Sequence, residues 1–242
     1  MAGEFSDLRA LFLNCSLKST ASESHTRRLL ARSAGIMASQ DVSVEMLHVL
    51  EHDIAFGMVK DATEEGRARD DWPAVQRKIM DADILVIGTP IWLGMKSSVA
   101  MLVIERMYAY SGDRNAKGQY LYYGKTAGCV VTGNEDGVKA CSMDILYAMA
   151  HIGYTIPPQP DCGWIGEAGP GPSYGDVLDG QDTPVGYDNT FTLKNCTIMS
   201  WNLMHTARRL KDAGGLPTTG NMADRWDEAV NARDMDPERT EF

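Results

Sequence analysis

The chain is predicted to fold as an open, doubly wound α/β domain, with five parallel strands and helices on both faces. Three observations carry that expectation. Strand-like and helix-like segments alternate along most of the 242 residues, the pattern that builds parallel sheets. Two strand-like segments, Asp83 to Gly88 and Thr126 to Thr132, are nearly continuously apolar or small, as expected of strands covered on both faces. Two loops that follow strand-like segments, Asn14 to Ser19 and Thr89 to Gly94, carry residue types suited to a ligand. In such sheets ligands bind beyond the carboxyl ends of the strands, where the strand order reverses.

Taken in order, Leu8 to Leu13 reads as the first strand, and Val42 to Val49 as the second, alternating through Val42, Val44 and Met46. Asp83 to Gly88 is the third, Thr126 to Thr132 the fourth, and Gly153 to Pro157 a weaker fifth that ends at Pro157-Pro158. Ser24 can cap a helix whose inner face holds Leu29, Leu30, Ala34 and Met37. Val75, Ile79 and Met80 mark a second helix. Ser97 or Ser98 caps a third that carries Val99, Leu102, Val103, Ile104 and Met107. Val138, Cys141, Ile145, Met149 and Ile152 form a stripe closed by Gly153. Leu193, Ile198 or Met199, Leu203, Ala207 and Leu210 give the last long helix, ending at Gly214-Gly215. The default order for such a chain is flavodoxin-like, 2-1-3-4-5. Residues 1–215 are expected to form this domain. Within it, 161–189, rich in Gly, Pro and Asp, is a surface connection able to cover a ligand. Residues 216–242 form a polar extension with Trp226 as its apolar anchor.

Charge narrows the partners. A formal net charge of −10 and a pI near 4.9 argue against nonspecific nucleic-acid or anionic-membrane binding, which need a basic footprint. Any phosphate must be held locally, by backbone N–H groups and a helix start. No run approaches the ~18 apolar residues of a membrane span, and Leu11-Phe12-Leu13 is too short for a secretory signal. The five cysteines (Cys15, Cys129, Cys141, Cys162, Cys196) are scattered, without metal-ligand or cluster spacing. Reduced thiols and a cytoplasmic setting are the expectation.

Three turns carry the chemistry. After the first strand, Ser16, Lys18, Ser24, His25 and Thr26 place hydroxyls, amides and a cation at a helix start, where an anion gains from unpaired N–H groups and the positive helix end. Serine-rich loops before helices are also ordinary caps and turns. Neither G-x-G-x-x-G nor GK[ST] is present there, which disfavours a dinucleotide fold or a nucleotide triphosphatase. After the third strand, Thr89-Pro90-Ile91-Trp92-Leu93-Gly94 joins a rigid proline, an aromatic plane and a glycine that lets backbone approach a flat ring. Its N–H groups suit a ring that becomes negatively charged on reduction, while Trp92 alone could as well be core packing. After the fourth strand, Thr132-Gly133-Asn134-Glu135-Asp136-Gly137 can hydrogen-bond such a ring or its sugar chain, or serve as a turn with Asp136 as cap. Together the turns suit flavin mononucleotide.

The chain resembles the flavodoxin-fold NADPH-dependent FMN reductase family, relatives of the NAD(P)H:quinone oxidoreductases. The likeness lies in Asp70-Asp71-Trp72-Pro73-Ala74, Ala82 to Gly94, Ser97-Ser98-Val99, Gly133 to Gly137 and the stretch from Gly220-Asn221 to Trp226. The first loop departs from that family's commoner Gly-Ser-Pro-Arg form. The resemblance implies noncovalent FMN, its phosphate at Ser16 to Thr26 and its ring between residues 90–94 and 132–137. It also implies hydride transfer from NAD(P)H to the flavin, then to a small-molecule electron acceptor. Such chemistry belongs to the cofactor, so no side chain is assigned as catalytic. His48, His52, His151 and His205 show no partner spacing and read as structural or surface residues. Rival readings are a flavodoxin-type electron carrier without an NAD(P)H site, and a non-enzymatic scaffold. Trp164 and Tyr174, in the 161–189 connection, could stack on a substrate ring. The helix from Ser97 to Met107 is apolar on more of its surface than one sheet contact needs, so a homodimer or homotetramer is expected.

Overall fold

The strands form as the alternation requires, and the computed structural model describes residues 3–231. β1 (Arg9–Asn14), β2 (Ser43–His48), β3 (Ile84–Trp92), β5 (Thr126–Gly133) and β6 (Asp161–Ile165) make a parallel sheet in the order β2-β1-β3-β5-β6. A two-residue β4 (Met95–Lys96) folds back antiparallel on the end of β3. Counting only the parallel strands, this is the expected 2-1-3-4-5 order.

Alternate residues of the central strands face opposite layers, as a period of two demands. Leu11, Leu13, Leu85, Ile87, Cys129 and Val131 pack with α2 (Trp72–Asp81), α3 (Ser98–Tyr108) and α4 (Val138–Ile152). Ala10, Phe12, Ile84, Val86 and Val130 pack with α1 (His25–Ala38) and α5 (Thr190–Asp212) on the other face. Helix starts are capped as the sequence suggests: Ser24 accepts from Arg27 N–H, Ser97 from Ala100 N–H and Asn189 from Thr192 N–H. Asp136 does not cap α4; that place falls to Gly137, which has no side chain to offer. A short helix, α6 (Ala223–Asn231), lies in the 216–242 extension. It docks on the 114–120 segment through Arg114, which pairs with Asp224 and Asp227. The rest of the extension, 232–242, lies outside the described residues. Among the described residues, no helix is long and apolar enough to cross a membrane.

Two expectations shift. The fifth strand is not Gly153 to Pro157, where Thr155 makes a single bridge to Thr126. It is Asp161–Ile165, paired with β5 from Cys129↔Asp161 to Gly133↔Ile165. The prolines at 157, 158 and 160 stop the earlier segment from pairing further, because proline offers no N–H to a ladder. The surface connection therefore begins at residue 166. The third strand also runs on through Pro90 and Ile91 to Trp92, so residues 89–92 are strand rather than loop. Leu93 and Gly94, with φ of 52° and 75°, form the two-residue turn into β4, the hairpin geometry with positive φ at both central positions.

Candidate functional site

At the carboxyl edge of the sheet lies a cavity of about 670 Å³, lined from the ends of β1, β3, β5 and β6. That volume is in the range of small-molecule sites. The β1 side gives Ser16, Leu17, Lys18, His25 and Thr26; β3 gives Pro90, Ile91 and Trp92; β5 gives Thr132, Gly133, Asn134 and Glu135. Trp164 closes the β6 side, with Gly169, Pro170, Ser173, Tyr174 and Asp176 from the connection that follows.

The β1 end is built around the start of α1. Ser16 is buried, and its Oγ accepts from Lys18 N–H at 3.2 Å. Thr26, in the first turn of α1, shares a hydroxyl hydrogen bond of 2.8 Å with Thr132 on β5. The first N–H groups of a helix have no partner within it. Ser24 satisfies that of Arg27, and His25 and Thr26, the first two residues of the helix, line the cavity. Ser24 itself is fully buried as the cap, and lies outside the lining. Thr89 is likewise buried under the site: its Oγ1 accepts from Ser97 N–H at 2.9 Å, and Ser97 Oγ donates to Cys15 O at 2.7 Å. Those bonds tie the first loop to β3. Burial pushes the Cys15 thiol far up, so it holds its proton and is inert.

On the β3 side, Trp92 is half exposed at the cavity wall, while Leu93 and Gly94 lie beyond it in the hairpin turn. Gly137, at φ 136°, sits against that turn, and a Cβ on it would lie 2.8 Å from Gly94 O. Gly94 and Gly137 thus set the spacing of the two loops rather than line the cavity.

Asn134 lines the cavity with its side chain already engaged. Its Nδ2 donates to Pro172 O at 2.8 Å and Glu167 O at 3.2 Å, and its Oδ1 accepts from Ser173 Oγ at 3.1 Å. It binds the connection across the site, leaving its side chain little to offer a ring or ribityl group. A second tie lies at α1. His25 Nδ1 stands 3.1 Å from Tyr174 O, and the Arg28 guanidinium 3.3 Å from Asp176 Oδ1. Ser173 N–H donates to the other Asp176 oxygen at 2.7 Å. Residues 166–176 are thus a strap over the cavity, held at α1 and at Asn134.

Trp164 and Tyr174 line the inner wall rather than stand free. Trp164 is on β6 with 7% exposure, Tyr174 has 1%, and the rings meet edge to face at 5.7 Å. Burial pushes the Tyr174 phenol up to about 12, so it is neutral near pH 7. Pro170, Ser173 and Asp176 join the lining without having been singled out in sequence, beside Leu17 of the first loop and Gly169 of the connection. The Gly-Pro-Ser composition of 169–173 marked a connection able to cover a ligand, but not which of its residues would face the cavity.

Residues 8–164 match the family described as NADPH-dependent FMN reductase. Over 210 residues the chain is 33% identical to the 8-demethyl-8-aminoriboflavin-5'-phosphate synthase of Streptomyces davaonensis, covering 85% of this chain and 79% of that protein. A structure of RosB with bound 8-demethyl-8-formylriboflavin-5'-phosphate is similar at a TM-score of 0.79 and 31% identity, covering 93% of this chain and 87% of that one. A protein named divalent metal cation transporter MntH, from Mycobacterium bovis, is 54% identical over 218 residues. That match takes in 90% of this chain but only 31% of the other, so the chain spans about a third of its length. The family match opens one residue before β1 and ends on Trp164, so it takes in every strand end that lines the cavity: the chain belongs to the NADPH-dependent FMN reductase family.

Proposed function

We propose that the chain is an FMN-dependent reductase that takes hydride from NAD(P)H and passes it to a small-molecule acceptor. The observation that carries the reading is the convergence of four strand ends on one cavity, with a helix start at one side and the Trp92 hairpin at another. The residues present fit a flavin phosphate. Hydroxyls of Ser16 and Thr26, the Lys18 cation and the first N–H groups of α1 suit the phosphate. The close approach of Gly137 to Gly94 fixes the spacing of the Trp92 hairpin and the 132–137 loop, whose lining residues would flank a flat ring.

Bound there, FMN would supply two-electron chemistry between a nicotinamide and an acceptor. The chain's part is to bind, orient and cover. Lys18 and the α1 N–H groups offset the phosphate charge against the acidic field of the whole chain. Trp92 would hold the ring at the β3 side, and backbone N–H groups at this strand end would favour negative charge on a reduced ring. The strap, tied through Asn134 and Asp176, keeps bulk water from the inner wall, where Trp164 and Tyr174 sit.

The covered cavity favours this reading over a bare electron carrier, whose flavin edge must meet a partner protein. A second reading is favoured by the likeness to the Streptomyces synthase: the flavin phosphate would enter as a substrate rather than stay as a cofactor. One experiment separates them. Protein purified and scanned in the visible range is expected to carry about one FMN per chain, bleached by NADPH or NADH without air and recoloured by a quinone. Mass spectrometry of the released flavin should return unmodified FMN. Colourless protein that stays so after FMN is added overturns the proposal, and an altered flavin supports the substrate reading.

A further inference from the structure

We propose that His48 and Asn14, which do not line the cavity, are positioning residues for the loop that takes the flavin's phosphate; the inference rests on the flavin-phosphate reading above. The two residues close β2 and β1, and they sit side by side in the sheet register. Asn14 is fully buried and His48 is 3% exposed. Polar side chains so deep are stable only where their hydrogen bonds are made, and here each bond leads to the phosphate loop.

The bonds run in one direction. His48 Nε2 lies 2.9 Å from Lys18 O, an oxygen that can only accept, so Nε2 carries the proton. In the neutral ring Nδ1 is then a lone pair, and it accepts from Asn14 Nδ2 at 2.9 Å. With the amide turned this way, Asn14 Oδ1 faces the loop and accepts from Ser16 N–H at 3.3 Å and Ser24 Oγ at 3.1 Å. Ser24 Oγ in turn accepts from Arg27 N–H at 3.0 Å and so caps α1. One imidazole thereby sets the amide orientation, the path of residues 16–18 and the start of α1. These are the parts that present Ser16, Lys18, His25 and Thr26 to the cavity.

The benefit lies in binding. A loop held in its binding shape loses less freedom when the ligand arrives. Without the His48 donor, Lys18 O must find water and the loop relaxes, so the phosphate has to order it again. The flavin ring, held at the far loops, is not affected. Loss of His48 should therefore act on the phosphate's share of affinity alone.

Riboflavin, the same ligand without the phosphate, is the control. Dissociation constants for FMN and riboflavin would be measured on wild type, His48→Ala, His48→Asn and His48→Gln, with Tm for each. His48→Ala should weaken FMN about tenfold, the scale of one hydrogen bond, and leave riboflavin within about twofold, so the FMN preference falls. His48→Asn keeps an acceptor for Asn14 but does not reach Lys18. It should show the same loss, and it carries the test if the alanine variant does not fold. His48→Gln keeps a donor near the position of Nε2 and should recover most of the preference. Equal weakening of both flavins with a lowered Tm, or an FMN preference unchanged in Ala and Asn, overturns the assignment. A wild type that binds both flavins equally overturns the phosphate reading and this assignment with it.

Discussion

Asp70 and Arg106 pair at 2.6 Å with both side chains fully buried. Arg106 also donates to Ala55 O at 2.7 Å, and Asp70 accepts from the Ala62, Ala55 and Trp72 N–H groups. The pair thus folds residues 53–71 against α3. Burial would raise the Asp70 carboxyl, but these N–H groups and Arg106 hold it below its usual value. A carboxyl lower in the folded than in the unfolded chain gives stability that is full above about pH 4 and is lost as pH falls through the folded value. Asp70→Asn leaves the Arg106 cation buried and unpaired, and is expected to cost about 3–5 kcal/mol at pH 7. Urea unfolding should show that gap narrowing below about pH 4; a gap constant with pH would refute the linkage. Gly137→Ala tests the other fine fit. A Cβ there meets Gly94 backbone at 2.8 to 3.1 Å, at a φ that L-residues avoid, so flavin titration should show FMN binding weakened more than tenfold, about 1.4 kcal/mol or more.

At the scale of elements, the strap is the part most open to test. Asp176 places a carboxylate on His25 and Arg28, at the helix start where the phosphate is proposed to bind. A phosphate and Asp176 would share the same donors. Asp176→Asn is therefore expected to tighten FMN a few-fold relative to riboflavin, while loosening the strap enough to raise the KM for the acceptor. Limited proteolysis within 166–188 should quicken in the variant; unchanged cleavage and unchanged KM would show the strap held by Asn134 alone. Trp164 behaves differently from a free stacking group. Because it is buried on β6 against Tyr174, Trp164→Ala should cost about 3–5 kcal/mol of stability, read by urea titration, and not merely raise a KM.

For the whole molecule, the open question is assembly. Within one chain α3 buries Val99, Leu102, Val103, Ile104 and Met107, leaving Met101 and Tyr108 outside. The face continues on α4 with Met143 and Tyr147, whose ring stacks on His151 at 6.1 Å. Aromatic and methionine side chains of this kind are enriched at interfaces. A homodimer through this face is our expectation, with light scattering at micromolar concentration giving twice the 26.6 kDa of one chain. Met143→Lys with Tyr147→Glu should return a monomer; a monomeric wild type would reject the dimer.

The sequence by itself determined the layers, the strand order and the edge on which the cavity lies, because each of these follows from local pattern. Apolar runs covered on both faces, capping serines and turn glycines act over a few residues, and they can be read where they stand. It also marked most of the cavity's lining on β1, β3 and β5. Only the tertiary structure decided the rest. Asp161–Ile165 carries a glycine in mid-strand and too little pattern to announce itself; it becomes a strand because β5 leaves an edge to pair with. Asn134 reads as a ligand residue until Pro172 and Ser173, 38 and 39 positions away, engage it. His48 shows no partner spacing because its partners, Asn14 and Lys18, are 34 and 30 residues distant and meet it only through the pairing of β1 with β2. Hydrogen bonds between residues so far apart leave no periodic trace in a sequence, since their geometry exists only once the sheet has formed.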